Sequence, residues 1–166
     1  MRSKTAIWFE AKIAYEKVME DGMQKKVTEL YVIDAISFAE AEHRIMEEMS
    51  AYISGEFSVK DIKIAPYSEI FFSDEELADR WYKAKLQFIT IDEKGGAQRP
   101  SESLGGRPEK EKRSNVTYLV QACTLNGAVK NIDAVMGGTM INYVQANVGE
   151  TKIVDVFEYK KDNGEG

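Results

Sequence analysis

Cysteine and histidine are nearly absent from this sequence of 166 residues, which holds one of each, Cys123 and His43. A single cysteine excludes an intrachain disulfide framework, and we expect Cys123 to be a small core residue. His43 with Glu47, one helical turn away, falls far short of the ligand set of a zinc site. Nucleophilic catalysis needs a base beside the nucleophile, but helical periodicity places His43 on a solvated face. We therefore expect no catalytic dyad, no bound metal and no cofactor.

Long apolar runs and an excess of basic residues are also lacking. No stretch approaches the roughly 20 apolar residues of a membrane-spanning helix, and the first residues lack the apolar run of a signal peptide. The formal net charge of −6 disfavours a general grip on nucleic acid, because counterion release needs clustered Lys and Arg. We expect a cytoplasmic protein with no membrane contact and a single domain spanning 1–166.

What the sequence does contain is an internal repeat. WFEAKIAY at 8–15 returns as WYKAKLQF at 81–88, and YVIDAISFAEAEHRI at 31–45 aligns without a gap with YLVQACTLNGAVKNI at 118–132. Alternation with period two predicts strands, while Ser37 and Thr124 are typical helix starts, predicting helices over 37–53 and from 124 to 137. We predict an α+β fold: an internal duplication of a β-β-α-β-β unit, with mainly antiparallel strands, two helices packed on one face and a pseudo-two-fold axis.

The boundaries of the repeats follow from composition. We predict repeat one at 5–72, a short helical link at 73–80 that begins with the capping box of Ser73 and Glu76, and repeat two at 81–159. Within repeat two, 92–114 is rich in Gly and in charges of both signs, so it predicts a flexible arm. The last residues, 160–166, are predicted to be disordered.

The repeated phrase also predicts two chemically different strand faces. One face is apolar and faces the core; the other carries the candidate binding residues Trp8, Glu10 and Lys12 in the first copy and Trp81, Lys83 and Lys85 in the second. Basic residues of the arm, Arg107, Lys112 and Arg113, are further candidates. Alternatively, the Trp-bearing face is covered by the other repeat, by the arm or by a second subunit.

Three classes of function remain open. The leading hypothesis is a non-enzymatic binding or accessory module, in which the Trp-bearing face contacts a protein partner or a second copy. The second is single-stranded nucleic-acid binding with both Trp rings stacked on bases. The third is a small-molecule enzyme with a site between the repeats, for which the matched residues Asp34 and Gln121 are the polar pair to inspect. Turn or cap contacts also explain that pair.

The sequence resembles a family of small proteins from Bacteroides and related bacteria whose domain has no assigned function. The phrases that carry the resemblance are WFEAKIAYEK, YVIDAISFAEAE, ADRWYKAKLQFITIDEK, EKRSNVTYLVQA and TKIVDVFEY, which together extend over nearly the whole chain. The resemblance implies a bacterial, intracellular, single-domain protein, and it supplies no activity or site residues. The segment GGAQRPSESLGGRPEKEKR departs from the family pattern as a longer insertion.

Overall fold

The computed structural model describes residues 1–91 and 111–159. The elements in these ranges are β1 (Arg2–Lys4), β2 (Trp8–Val18), β3 (Gln24–Asp34), α1 (Phe38–Tyr52), β4 (Phe57–Ile64), β5 (Glu69–Phe72), β6 (Arg80–Ile91), β7 (Glu111–Ala122), α2 (Leu125–Met136), β8 (Asn142–Glu150) and β9 (Ile153–Phe157). The predicted α+β class is confirmed. Most of the predicted arm at 92–114 and all of the predicted tail at 160–166 lie outside the described residues, while 111–114 belong to β7.

The strands form two sheets. Sheet I has the order β1-β5-β7-β6-β8, and sheet II has the order β4-β2-β3-β9. The pairs β3–β9 and β5–β7 are parallel, and the other described pairs are antiparallel, as predicted. Each sheet therefore includes a strand from the other half of the chain: β5 lies in sheet I beside β7, and β9 lies in sheet II beside β3.

A β-bulge occurs at the same place in both sheets. The register between β2 and β4 shifts between Lys12 and Ile13, and the register between β6 and β8 shifts between Lys85 and Leu86. These two pairs of residues hold the same position in the repeated phrase. Because a bulge interrupts the ladder and increases the local twist, the two bulged edge strands, β4 and β8, are less suited to pairing with another chain.

Both helices begin and end where the sequence predicts. The Ser37 hydroxyl accepts a hydrogen bond from the Glu40 backbone N–H at 3.1 Å, and the Thr124 hydroxyl accepts one from the Gly127 N–H at 3.0 Å. These bonds satisfy backbone donors that have no partner within the first helical turn. With the caps included, the helices cover 37–53 and 124–137 as predicted. No helix within 1–91 or 111–159 is both long and apolar enough to cross a membrane.

The layers are arranged differently from the prediction. Helix α1 packs on sheet II, over Phe9, Ala11 and Ile13, and α2 packs on sheet I, over Tyr82 and Ala84. The opposite faces of the two sheets share a third core. The prediction that both helices cover one face is wrong, because the chain forms two sheets and each carries one helix on its outer side.

The link between the halves is a turn rather than the predicted helix. The Ser73 hydroxyl does accept a hydrogen bond, from the Glu75 N–H at 3.1 Å, but the chain that follows makes a single turn at 76–77 and does not continue as a helix. The side chain of Gln121 holds both ends of this turn: its Oε1 accepts from the Ser73 N–H at 3.0 Å, and its Nε2 donates to the Ala78 carbonyl at 2.9 Å. These external bonds replace the ones that a helix would make within itself.

Candidate functional site

The two tryptophans lie together in the core between the sheets. Trp8 is 1% exposed and Trp81 is 3% exposed, and both pack in the cluster that also holds Val32, Leu119 and Val156. The Trp-bearing face is therefore covered by the other sheet, which is one of the alternatives that the sequence left open. Rings in this position are not accessible to stack on bases or to anchor a partner. A binding surface of either kind would therefore have to use other residues.

The other candidate residues of this face lie at and beyond the edge of the core. Glu10 accepts a hydrogen bond from the Tyr67 hydroxyl at 3.0 Å and lies 3.7 Å from the Lys63 ammonium. Lys12, Lys83 and Lys85 are exposed. The lysines are thus available to solvent, but the structure does not gather them with the Trp rings into one platform.

Of the three candidates in the arm, two lie in the described residues. Lys112 and Arg113 are exposed on β7, where the Arg113 guanidinium donates to the Gln87 side chain at 3.2 Å and lies 3.6 Å from the Glu111 carboxylate. Arg107 lies outside the described residues. The assignment of these residues to a binding surface stays a prediction.

A different cluster surrounds Asp34, at the end of β3. Asp34 is 5% exposed and is the buried charged residue of the described core. Its carboxylate accepts from the Lys4 ammonium at 2.7 Å, from the Arg44 guanidinium at 3.0 Å and from the Tyr159 backbone N–H at 2.7 Å. Arg44 also donates to the Asp34 carbonyl oxygen. The strand end, helix α1, the first residues and the chain after β9 are thereby joined at one carboxylate.

Gln121 occupies the matching position at the end of β7, and its bonds follow the same plan. The Ser73 N–H, just after β5, donates to the Gln121 side chain as the Tyr159 N–H, just after β9, donates to Asp34. Asn131 donates to the Gln121 carbonyl at 3.1 Å, as Arg44 does to the Asp34 carbonyl. Turn and cap contacts thus account for the matched pair. We call the side-chain bonds of each residue a clamp; the Asp34 clamp is ionic, whereas the Gln121 clamp is neutral.

The ionic clamp forms the floor of a cavity of about 620 Å³, here named the Asp34 pocket. Its walls are apolar and are formed by Ala6, Ile7, Ala35 and Ile36, with Glu40 and Tyr159 at its border. Ile7 is 53% exposed and Ile36 is 83% exposed. An apolar wall with a few convergent polar groups is the usual composition of a ligand pocket.

A second cavity, of about 290 Å³, is lined by residues of β2, β3 and β9 in sheet II and by the end of α1; we name it the tyrosine pocket. The Tyr31 and Phe157 rings are stacked with centroids 5.5 Å apart, and Tyr52 stacks on Phe157 at 6.0 Å. The Tyr31 hydroxyl donates to the Glu29 carboxylate at 2.9 Å. Burial, followed by this bond, raises the pKa of Tyr31 far above its ordinary value.

Two shallow grooves lie beside the bulged edge strands. In the second half, the groove between α2 and β8 is bordered by Asp133, which accepts from the Tyr143 hydroxyl at 2.5 Å and from the Gln145 amide at 2.9 Å. Burial and the bond to Asp133 raise the pKa of Tyr143 to about 12. In the first half the corresponding groove between α1 and β4 is lined by Phe38, Glu42 and 59–62.

The residues considered for catalysis lie apart from these pockets. The Cys123 thiol donates to the Glu75 carboxylate at 3.1 Å, and this bond raises the pKa of Cys123, which disfavours the reactive thiolate. Cys123 is half-buried instead of belonging fully to the core as expected. His43 pairs on the helix surface with Glu47 at 2.7 Å. In the part of the chain that the structure describes, no three His, Cys, Asp or Glu side chains are grouped as metal ligands.

Sequence reasoning identified Asp34 but missed its partners. Lys4 and Tyr159 lie at opposite ends of the chain, so no local pattern joins them to Asp34. A usable signal was present, because a charged residue inside the apolar run LYVIDAI is expected to be buried with a partner. The tyrosine pocket was missed because its residues come from β2, β3, α1 and β9.

Comparison with known proteins gives one result. A family model described as Domain of unknown function (DUF4494) matches residues 7–159, which include every element from β2 to β9. No match was found among the curated proteins or among the solved structures.

Proposed function

Since the chain belongs to the DUF4494 family, whose model matches residues 7–159, we propose that it is a non-enzymatic binding module that accepts an apolar group of a protein partner in the Asp34 pocket. The observation that carries this proposal is the combination of an ionic floor, in which the charges are paired, with apolar walls that are exposed at Ile7 and Ile36. The proposal keeps the predicted class of function and moves the contact surface from the Trp rings to this pocket.

The floor of the pocket favours a neutral ligand. Lys4 and Arg44 are paired with Asp34, and each has a further carboxylate nearby: Glu158 at 3.9 Å from Lys4 and Glu40 at 4.0 Å from Arg44. A ligand with a formal charge would compete with these existing pairs and would lose its own hydration. An apolar group needs no such exchange.

The walls supply the driving force. Ile36 is 83% exposed in the turn before α1, and full burial of an Ile side chain contributes about 1.5–3 kcal/mol relative to exposure. An apolar centre bordered by charged side chains is the usual anatomy of a protein interface. Here Glu40 lies at the border, and the paired charges of Lys4, Asp34 and Arg44 lie at the floor.

A titration with a neutral apolar probe tests the pocket directly. N-acetyl-leucinamide added to isotope-labelled protein should shift the backbone amide resonances of Ile7, Ala35 and Ile36 in a saturable way. Ile36→Glu should abolish these shifts, whereas Leu77→Glu should not, because Leu77 is equally exposed, at 81%, on the turn between the halves. Shifts spread evenly over the surface, or equal effects of the two variants, would contradict the proposal.

A second measurement identifies the occupant. A photoreactive phenylalanine analogue placed at position 36 should crosslink to an apolar contact site on another protein in cells that make the chain, and the same analogue at position 77 should not. A small-molecule adduct alone would show that the ligand is not a protein. A crosslinked dimer, together with a dimer in light scattering that Ile36→Glu dissociates, would identify a second copy as the occupant.

We also propose that the chain is an internal duplication with a pseudo-two-fold axis. This is supported by the equal order of elements, β2-β3-α1-β4-β5 and β6-β7-α2-β8-β9, and by the parallel pairing of each final strand with the other half. The matching bulges after Lys12 and Lys85 support it further. Restriction to Bacteroides and its relatives, and a place in the cytoplasm, stay predictions from the sequence.

A further inference from the structure

The tyrosine pocket has a counterpart in the second half. Comparison of the two shows which of its contacts occur in both halves and which occur in the first half alone. Asp155 pairs with Tyr31 in sheet II, and Glu69 pairs with Tyr118 in sheet I. The stack of Tyr31 on Phe157 likewise has its counterpart, Phe71 on Tyr118 with centroids 4.9 Å apart. We call β5 and β9, which pair with the other half, the crossing strands. The stacked pair of rings and the carboxylate on the crossing strand occur in both halves and are therefore features of the shared fold.

The remaining polar groups belong to the first half alone. Val116 stands at the position of Glu29, because it pairs with Leu86 as Glu29 pairs with Ile13, and Leu86 and Ile13 hold the same place in the repeated phrase. Phe88 stands at the position of Tyr15 in the repeated phrase. Strands β6 and β7 pair in the same register as β2 and β3 without these groups, so we expect the pairing of β2 with β3 not to depend on them.

The added Glu29 and the shared carboxylate of Asp155 together make the pocket negative. The Glu29 carboxylate accepts from Tyr31 and also acts on Tyr15, where burial first and then this carboxylate raise the pKa. Burial raises the pKa of Asp155 as well. No Lys or Arg of the described residues forms a salt bridge with Glu29 or Asp155. The pocket thus has two carboxylates, phenol oxygens and aromatic faces, and none of its described lining residues is a cation.

We propose that the tyrosine pocket binds an organic ammonium cation of the methylated kind. An aromatic ring attracts such cations through its negative face, and the exposed ring of Tyr52, with Ile53 beside it in the lining, matches the alkyl groups of a methylated ammonium. The volume of about 290 Å³ suits a small head group of this size. A hard metal ion needs six or more oxygen ligands, which aromatic walls do not provide.

This site is distinct from the Asp34 pocket, so the two proposals fail independently. Tyr52 lies at the last turn of α1 and Ile36 precedes its first turn. A variant of one site is therefore a control for the other.

Choline chloride is the probe, and its neutral carbon isostere, 3,3-dimethyl-1-butanol, is the matched control ligand. Choline added to labelled protein at constant ionic strength should shift the amide resonances of Tyr31, Ile53 and Val154 in a saturable way. The isostere should bind about tenfold more weakly, because it has the same shape without the charge. Equal affinity of the two ligands would overturn the proposal.

Two variants test the residues. Glu29→Gln keeps an acceptor for the Tyr31 hydroxyl and removes the charge, and Tyr52→Thr removes an aromatic ring at an exposed position. Each should weaken choline binding by about tenfold. Asp61→Asn removes an exposed carboxylate of β4 and should leave binding unchanged. Circular dichroism should show the same fold for all three.

Two other results would overturn the proposal. One is binding that is unchanged in both Glu29→Gln and Tyr52→Thr. The other is a response of the same amides to calcium chloride at lower concentration than to choline, which would indicate a metal site instead.

Discussion

Loss of the Asp34 carboxylate should destabilise the fold more than loss of the Gln121 side chain, although the two occupy matching positions. Each side chain holds the chain that leaves a crossing strand: Asp34 accepts from the N–H of Tyr159 and Gln121 from the N–H of Ser73. They differ in charge, because Asp34 also accepts from Lys4 and Arg44. Comparison of Asp34→Ala with Gln121→Ala therefore separates the stability that comes from the charges from the stability that comes from the shared hydrogen bonds.

The magnitude follows from the partners that remain. Removing one partner of a buried ion pair costs about 3–5 kcal/mol, because the other charge is left without compensation. The side chain of Lys4 is 29% exposed and that of Arg44 is 14% exposed, and both have second carboxylates within 4.0 Å, so part of the loss is recovered. We expect about 2–4 kcal/mol for Asp34→Ala and about 1–2 kcal/mol for Gln121→Ala, which loses two neutral hydrogen bonds.

Urea unfolding followed by fluorescence gives both values, provided that the slope of the transition is unchanged between variants. Asp34→Asn should lie between wild type and Asp34→Ala, because its amide oxygen still accepts from Tyr159. The double variant Asp34→Ala/Arg44→Ala should be less destabilised than the sum of the single variants, by about 1–2 kcal/mol. Equal losses for Asp34→Ala and Gln121→Ala, or additive single losses, would refute the assignment of an ionic contribution.

Two further predictions concern the cores. Trp8→Ala and Trp81→Ala should each cost about 3–5 kcal/mol in urea unfolding, since both rings are buried between the sheets, whereas Lys85→Ala should stay within about 0.5 kcal/mol; stable Trp variants with altered oligomer size would restore the surface interpretation. Asp155→Asn should be more stable than wild type at neutral pH, because burial raises the pKa of Asp155 above its ordinary value of 3.8 and the charged form is the disfavoured one. Below that value the carboxyl is protonated in the folded and the unfolded chain alike, so its burial carries no cost of charge; the cost appears as the pH rises above it. The advantage of the variant should therefore vanish in acid, and an advantage that persists there would exclude this cause.

The sequence predicts the parts of the fold that depend on near neighbours. Ser37 and Thr124 mark helix starts because their hydroxyls bond to N–H groups three residues along the chain. The alternation of Phe9, Ala11 and Ile13 predicts the face that α1 covers, because side chains on a strand alternate whatever lies beyond it. These features need no knowledge of the distant chain.

What covers the opposite face of these strands depends on residues far away in the sequence, so local patterns do not predict it. Alternation places Trp8 and Trp81 opposite the helix-covered face, but it does not say what packs there. The answer comes from β5 and β9, which leave their own halves and pair with the other sheet, so that Ile70 and Val156 pack beside the rings. Exchange of short strands between halves has no local sequence pattern.

The comparison of the two halves locates candidate sites better than either half does alone. Where both halves share a contact, as in the stacks of Tyr31 on Phe157 and of Phe71 on Tyr118, the contact is explained by the architecture that they share. Where the backbone pairing is the same and the chemistry differs, as at Glu29 and Val116, the architecture does not account for the polar residue. Asp34 and Gln121 combine the two cases, because the clamp is shared and the charge is not. Both proposed pockets lie at such differences in the first half, one at Asp34 and the other at Glu29.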